Sequence, residues 1–171
     1  MNETAKHTRK SIKKLFISVI GESQASKKNY EDAEKVGELL ARHGAVVFCG
    51  GTTGVMEAVC KGAKKGGGLT VGILPGSVRS HANKYVDIPI PTGVGYARNK
   101  YVVKSGHAVI AIGGSYGTLC EIGFALGYEI PVVGLNTWQF EKKGHKKAPI
   151  IYVKTPERAV AMAIRQAHKH K

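Results

Sequence analysis

Short apolar runs rich in β-branched residues alternate along this chain with longer amphipathic stretches. The runs at residues 15–20, 45–49, 70–74, 108–112, 131–135 and 149–153 predict strands. The stretches at 28–43, 55–65, 96–105, 118–128 and 156–168 predict helices. That alternation is how βα units feed a parallel sheet. Strands apolar at successive positions are buried on both faces, so helices must cover both sides of the sheet. The fold class is therefore α/β, a doubly wound three-layer sandwich with a mostly parallel sheet. If the strands run in the order 3-2-1-4-5, the loops after the first, second and fourth meet where the order reverses, the usual ligand crevice of open α/β sheets.

Local signals support these boundaries. Gly44 follows Arg42 and His43 as a C′ residue, and Thr155-Pro156 gives an N-cap followed by proline at the first helical position. Gly66-Gly67-Gly68 ends a helix. Residues 75–91, which hold Gly76, Asn83, Pro89 and Pro91, read as a long crossover or a short extended segment and are left unassigned. The chain divides into a basic tail, residues 1–14, and one Rossmann-like nucleotide-binding domain, residues 15–171.

Composition narrows the function classes. The 171 residues contain no apolar stretch approaching the roughly 20 residues a membrane-crossing helix needs. No secretory core follows the basic N-terminus, so a cytoplasmic location is expected. Cys49, Cys60 and Cys120 lack CxxC spacing and read as buried, reduced thiols; no metal site is expected. The net charge of +14 creates a field that attracts polyanions or anionic metabolites. Much of the excess lies at residues 6–14, 142–147 and 165–171, with almost no interleaved aromatics, so any nucleic-acid binding is expected to be nonspecific and salt-sensitive.

Two glycine-rich segments stand after predicted strands and before predicted helices. They are Gly50-Gly51-Thr52-Thr53-Gly54 and Gly113-Gly114-Ser115-Tyr116-Gly117-Thr118. A tight turn there presents unpaired N–H groups at a helix N-terminus, where the helix dipole also favours an anion. Thr52, Thr53, Ser115 and Thr118 add hydroxyls. The loop Gly21-Glu22-Ser23 is a third, weaker strand-end candidate through Gly21 and Ser23. The bland alternative is a pair of tight βα turns, but two in equivalent context favour phosphate binding. Neither segment is G-x-G-x-x-G, and G-x-x-x-x-G-K-[ST] is absent from the sequence, which disfavours hydride transfer and nucleoside triphosphate hydrolysis.

Gly113 to Glu121, preceded by Tyr96-Ala97-Arg98-Asn99 and by Gly50-Gly51-Thr52-Thr53-Gly54-Val55-Met56, resembles the superfamily of Lonely Guy cytokinin phosphoribohydrolases and molybdenum cofactor carrier proteins. The likeness covers nearly the whole chain and looks nearer the carrier branch, with A-R-N before a G-T-L-x-E loop. Members have also carried a lysine decarboxylase label, but nothing in these motifs supports pyridoxal phosphate chemistry. In the hydrolases, P-G-G-x-G-T-x-x-E binds phosphate and supplies a catalytic glutamate, and the arginine of M-H-x-R-K completes the site. Those positions match Glu121 and Arg98. Gly113 stands for the proline, Ser115 for the second glycine, Tyr96 for the histidine and Asn99 for the lysine, so binding carries over better than catalysis.

The resemblance thus implies a binder of a phosphorylated, nucleotide-like ligand, with two activities to separate. One is nucleoside 5′-monophosphate phosphoribohydrolase, with Glu121 stabilising an oxocarbenium-like transition state or activating water, and Arg98 positioning the phosphate. The other is a noncatalytic carrier with molybdenum cofactor as cargo. No cofactor is required for the first. For Glu121, a capping box over Thr118-Leu119-Cys120-Glu121 is an equal alternative, and Tyr116 either stacks on a base or covers the loop. Arg98 on a helix face would by itself read as solvated. Val55 and Met56 anchor their helix in the core. The resemblance also implies a homo-oligomer, at least a dimer, paired through the helices at 96–105 and 118–128.

Overall fold

The computed structural model describes residues 14–141 and 147–170. The tail at residues 1–13, most of the basic segment 142–147 and Lys171 lie outside them. Among the described residues, seven strands form one parallel sheet: β1 (Phe16–Gly21), β2 (Val46–Cys49), β3 (Thr70–Leu74), β4 (Ile88–Pro91), β5 (Ala108–Ile112), β6 (Val132–Leu135) and β7 (Ile150–Val153), in the order β4-β3-β2-β1-β5-β6-β7. This is the Rossmann-like doubly wound sheet expected, with its order reversing at β1. The anticipated order of the first five strands holds, flanked by β4 at one edge and β7 at the other.

The register of β1 assigns the layers. Ile17 and Val19 face one side, against α1 (Lys27–Arg42), α2 (Val55–Lys65) and α5 (Pro156–Lys169). Ile20 faces the other, against α3 (Asn99–Lys104) and α4 (Tyr116–Gly127). Ser18, fully buried on this second side, donates to the Val102 carbonyl of α3 at 2.6 Å, so its hydroxyl is satisfied.

Local chemistry sets the helix ends. Ser26 caps α1 by accepting from Asn29 N–H, and Thr155 caps α5 by accepting from Arg158 N–H ahead of Pro156. Gly44 closes α1, its N–H donating to the Ala41 carbonyl at 2.8 Å with φ +72°. α1 and α2 cross with their backbones in contact: a Cβ on Gly62 would stand 2.7 Å from the Glu34 carbonyl carbon. Among the described residues no helix is long and apolar enough to cross a membrane.

Three expectations need correction. The unassigned segment 75–91 ends in β4, whose two prolines in four residues hide a strand from pattern reading; an edge position tolerates them because one side carries no ladder. The helix expected over 96–105 is a 3₁₀ turn (Gly95–Arg98) followed by the short α3. Cys120 is exposed, while Cys49 and Cys60 are buried with their sulfurs 3.4 Å apart. On α4 the buried set is Thr118, Glu121, Ile122 and Ala125, which leaves position 120 on the outer face.

Candidate functional site

The carboxyl ends of β1, β2, β3 and β5 converge at the reversal of strand order, and their loops enclose a cavity of about 370 Å³. Ile20, Gly21 and Ser23 come from β1 and its loop, Gly50, Thr52 and Met56 from β2 and α2, and Pro75 from the end of β3. The 3₁₀ turn and α3 bring Gly95, Tyr96, Arg98 and Asn99, and the turn before α4 brings Ser115, Gly117, Thr118 and Glu121. Both glycine-rich turns therefore lie at one edge of the sheet and contribute to one cavity. Met56, read from the sequence as a core anchor, is nearly buried and also lines it.

Arg98 and Glu121 are the charged groups of this cavity. Arg98 closes the 3₁₀ turn and caps α3, a junction that turns its side chain inward, so it is 8% exposed rather than solvated. Glu121, on the buried face of α4, is 6% exposed. Their nearest atoms, Nη1 and Oε1, are 3.5 Å apart. Burial pushes the Glu121 carboxyl up to about 7, with Arg98 pulling the other way. Burial also lowers the Arg98 guanidinium's pKa, opposed by the same carboxylate. The capping-box alternative for Glu121 fails, because α4 begins at Tyr116 with Ser115 as its N-cap, placing Thr118 in the first turn and Glu121 beyond it.

Two further polar atoms at the cavity lack partners among the described residues: Arg98 Nε and Thr118 Oγ1, the latter on a residue 1% exposed. The Ser115 hydroxyl does not cap α4, which leaves the first-turn N–H groups without that acceptor. An arginine edge, a hydroxyl and helix N–H groups together are an anion-binding set. Gly50 lets Arg98 approach, since a Cβ there would stand 2.7 Å from both Nη1 and Nη2.

The remaining predicted positions lie elsewhere around the rim. Gly51 packs on Gly72 and Leu74, and Thr53 donates to the Ser23 carbonyl at 3.0 Å, so these hold the loop in place. Gly54 abuts the Ser23 backbone. Tyr116 is 78% exposed and stacks on Trp138 with centroids 6.2 Å apart. Gly113 and Gly114 face an adjoining cleft of about 340 Å³ with Glu22, Asn29, Asn136, Thr137 and Trp138. There the Gly114 N–H donates to Glu22 Oε2 at 2.8 Å, so the chain's own carboxylate takes the donor that the sequence reading reserved for phosphate. Glu22, Asn29 and the loop after β6 were not singled out from the sequence. The signal that would have found the last is its place: Asn136-Thr137-Trp138 follows a predicted strand on the same sheet edge.

Fold and cavity define a Rossmann-like α/β protein with a cavity at its topological switch point that holds a buried pair of opposite charges. The chain belongs to the SLOG cluster4 family, whose model matches residues 14–160. A protein of Archaeoglobus fulgidus is 47% identical over 115 residues, 67% of this chain and 76% of its own. The cytokinin riboside 5′-monophosphate phosphoribohydrolase of Mycobacterium tuberculosis is 31% identical over 117 residues, which span 63% of each chain. Among solved structures, the molybdenum cofactor binding protein of Rippkaea orientalis superposes with a TM-score of 0.81 at 34% identity, covering 91% of this chain and 98% of that one. The molybdenum cofactor carrier protein of Chlamydomonas reinhardtii gives 0.80 at 33%, covering 91% and 99%. The superfamily indicated by the sequence motifs is thus the one in which the relatives fall.

Proposed function

We propose that the protein binds a phosphorylated, nucleotide-like ligand in the 370 Å³ cavity and hydrolyses the N-glycosidic bond of a nucleoside 5′-monophosphate. The observation that carries this reading is the buried Arg98–Glu121 pair, held at 3.5 Å beside unpartnered Arg98 Nε and Thr118 Oγ1. The first-turn N–H groups of α4, the Thr118 hydroxyl and the Arg98 guanidinium hold the phosphate, while Gly50 and Thr52 close the opposite wall. A carboxyl that titrates near 7 exchanges a proton at neutral pH with little penalty. The C1′–N bond breaks, water's hydroxyl joins C1′, its proton passes to the departing base, and the products are free base and ribose 5-phosphate. Glu121 stabilises the positive charge that develops on the ribose or takes the proton from water. No cofactor enters that balance. The proposal includes a cytosolic location.

A second reading is favoured by the near-complete superposition on molybdenum cofactor proteins and by the departures from the hydrolase motif at Gly113, Ser115, Tyr96 and Asn99. Here the same anion-binding set holds the phosphate of a pterin cofactor that is cargo and leaves unchanged. The two readings part on turnover. Incubation with a panel of nucleoside 5′-monophosphates releases free base and ribose 5-phosphate if the first holds, and Glu121→Gln abolishes release while retaining ligand. Tight binding without release, in the unaltered protein as well, leaves the carrier.

The outer face of α4 supports self-association as well. Phe124 and Tyr128 are exposed and stacked, and Gly123 and Gly127 beside them leave open space. A helix with aromatic and small residues on its outer face is suited to pairing with a second copy about a two-fold axis.

A further inference from the structure

Successive residues of the loop after β1 face opposite ways. Gly21 and Ser23 line the 370 Å³ cavity, while Glu22 between them lines the adjoining 340 Å³ cleft. The turn after β5 repeats the division, with Gly114 on the second cleft and Ser115 on the first. The two spaces thus flank the same two loops, and they differ in chemistry. The first holds Arg98 and the anion-binding set. The second, in a chain with 26 Lys and Arg against 12 Asp and Glu, has no Lys or Arg among its described lining residues and one carboxylate.

That carboxylate is fixed. Glu22 Oε1 accepts from Asn29 Nδ2 at 2.7 Å and Oε2 from the Gly114 N–H at 2.8 Å. Asn29 Oδ1 in turn accepts from Asn136 Nδ2 at 2.7 Å, and Asn136 holds a left-handed backbone, φ +51°, which asparagine tolerates. Each Glu22 oxygen spends one acceptor site on the protein and keeps another, since an ionised carboxylate offers about four. Thr137 Oγ1 is buried without a partner among the described residues. Trp138 supplies a flat wall, its ring pinned by Nε1 donating to the Ser115 carbonyl at 3.2 Å. A rigid carboxylate, an orphaned hydroxyl and an indole face together suit a planar ring whose edge carries adjacent N–H donors, with a carbonyl next to them.

We propose that this cleft is a ring-recognition subsite for a 2-amino-4-oxopyrimidine edge, the donor–donor–acceptor edge shared by guanine and pterin. The ring N–H and exocyclic amine pair with the two Glu22 oxygens, the ring carbonyl accepts from Thr137 Oγ1, and the ring lies on Trp138. Adenine, with no N–H at the ring position and no carbonyl, is rejected because it leaves the carboxylate and hydroxyl unmatched. The inference deepens the proposed function and rests on it only for the phosphate held in the neighbouring cavity.

Trp138 is the only tryptophan of the chain, so its fluorescence reports on this cleft. The test titrates the full-length protein with guanosine 5′-monophosphate, adenosine 5′-monophosphate, ribose 5-phosphate and unsubstituted 2-amino-4-oxopteridine, by calorimetry and by quenching. The expected result is binding of the guanosine compound about tenfold or more tighter than the adenosine compound, with quenching by guanine and pteridine rings only. Glu22→Gln removes that preference and leaves ribose 5-phosphate affinity unchanged. Thr137→Val, which keeps the shape and deletes the hydroxyl, weakens the two oxo rings alone and covers the case in which the Glu22 variant fails to fold. Whether the pteridine or the guanosine compound binds more tightly identifies the source of the ring. Equal affinity for guanosine and adenosine monophosphates overturns the subsite and leaves the phosphate reading standing. Ring binding without any ribose 5-phosphate binding does the reverse, and no binding by any of the four overturns both.

Discussion

Arg98 Nη1 and Glu121 Oε1 face each other at 3.5 Å inside the cavity, too far for a good hydrogen bond and too buried for water to screen. A buried pair of opposite charges is stable only if hydrogen bonds complete it, and here they are incomplete. The carboxyl yields: its loss of hydration outweighs the attraction of the guanidinium, and it titrates near 7.

This gives a pH signature. In the unfolded chain Glu121 releases its proton near its ordinary 4.5, but in the folded protein only near 7. Below about 4.5 both states are protonated and the group's contribution to stability is fully present. That contribution is lost as pH rises through the window from 4.5 to 7. The cost reached above 7 is on the order of 3 kcal/mol, from about 1.4 kcal/mol per unit. Glu121→Gln cannot ionise, so its stability relative to the unaltered protein improves between pH 5 and pH 8 in urea unfolding. A difference that stays constant across that window counts against a raised carboxyl.

Most of the frame was legible because it rests on local pattern. β3, β5 and α2 fall on the expected residues, since short runs free of charge and rich in Val and Ile, and an amphipathic helix between glycines, leave little choice. β4 was hidden because Ile88-Pro89-Ile90-Pro91 is a strand only by virtue of its edge position, a tertiary fact. The site divided the same way. Strand-turn-helix context brought Gly50, Thr52, Ser115, Gly117 and Thr118 to one cavity. Glu22 could not be read as the acceptor for Gly114 N–H, because that contact joins residues 92 apart in the chain. The inward turn of Arg98 likewise depends on a break between the 3₁₀ turn and α3 that sequence periodicity does not encode.

Glycines on two helices should answer oppositely to alanine. A Cβ at Gly62 meets α1 backbone, 2.7 Å from the Glu34 carbonyl carbon and 2.9 Å from the Glu38 nitrogen, and backbone has little room to yield. Gly62→Ala is expected to cost about 1–3 kcal/mol or more by overpacking. At Gly123 a Cβ meets nothing of its own copy within 4 Å, so at concentrations where the chain is monomeric Gly123→Ala gains helix propensity, up to about 1 kcal/mol. Thermal melts of the two variants side by side decide it, and a stable Gly62→Ala would mean α1 and α2 are not so closely crossed.

The self-association proposal rests on the face that carries Phe124 and Tyr128. A lysine at position 124 places an unpaired charge in the middle of any helix pair there, so Phe124→Lys should return a monomer by light scattering at micromolar concentration while melting near the unaltered protein. Cys120 lies on that face and is the one exposed cysteine of the three. Its reaction with a thiol reagent is therefore slow in the dimer and fast in the variant. A monomeric unaltered protein with a fast-reacting Cys120 ends the proposal.

Removing single groups from the cavity should separate affinity from stability. The Thr118 hydroxyl is buried without a partner among the described residues, a cost the unliganded protein carries. Thr118→Val keeps the shape and removes that cost, so the melting temperature should hold or rise, while a phosphorylated ligand that uses the hydroxyl binds about three- to tenfold more weakly. Gly50→Ala works from the other wall. Its Cβ would press on Met56 Sδ at 2.5 Å and on both Arg98 amino groups at 2.7 Å. These are ends of flexible side chains, so the fold absorbs the methyl, but Arg98 must swing away from where it faces Glu121. Ribose 5-phosphate affinity should then fall about tenfold or more with little change in melting temperature, because a charge-assisted contact to phosphate depends on where the guanidinium sits. Both variants binding ribose 5-phosphate as tightly as the unaltered protein would place the phosphate outside this cavity.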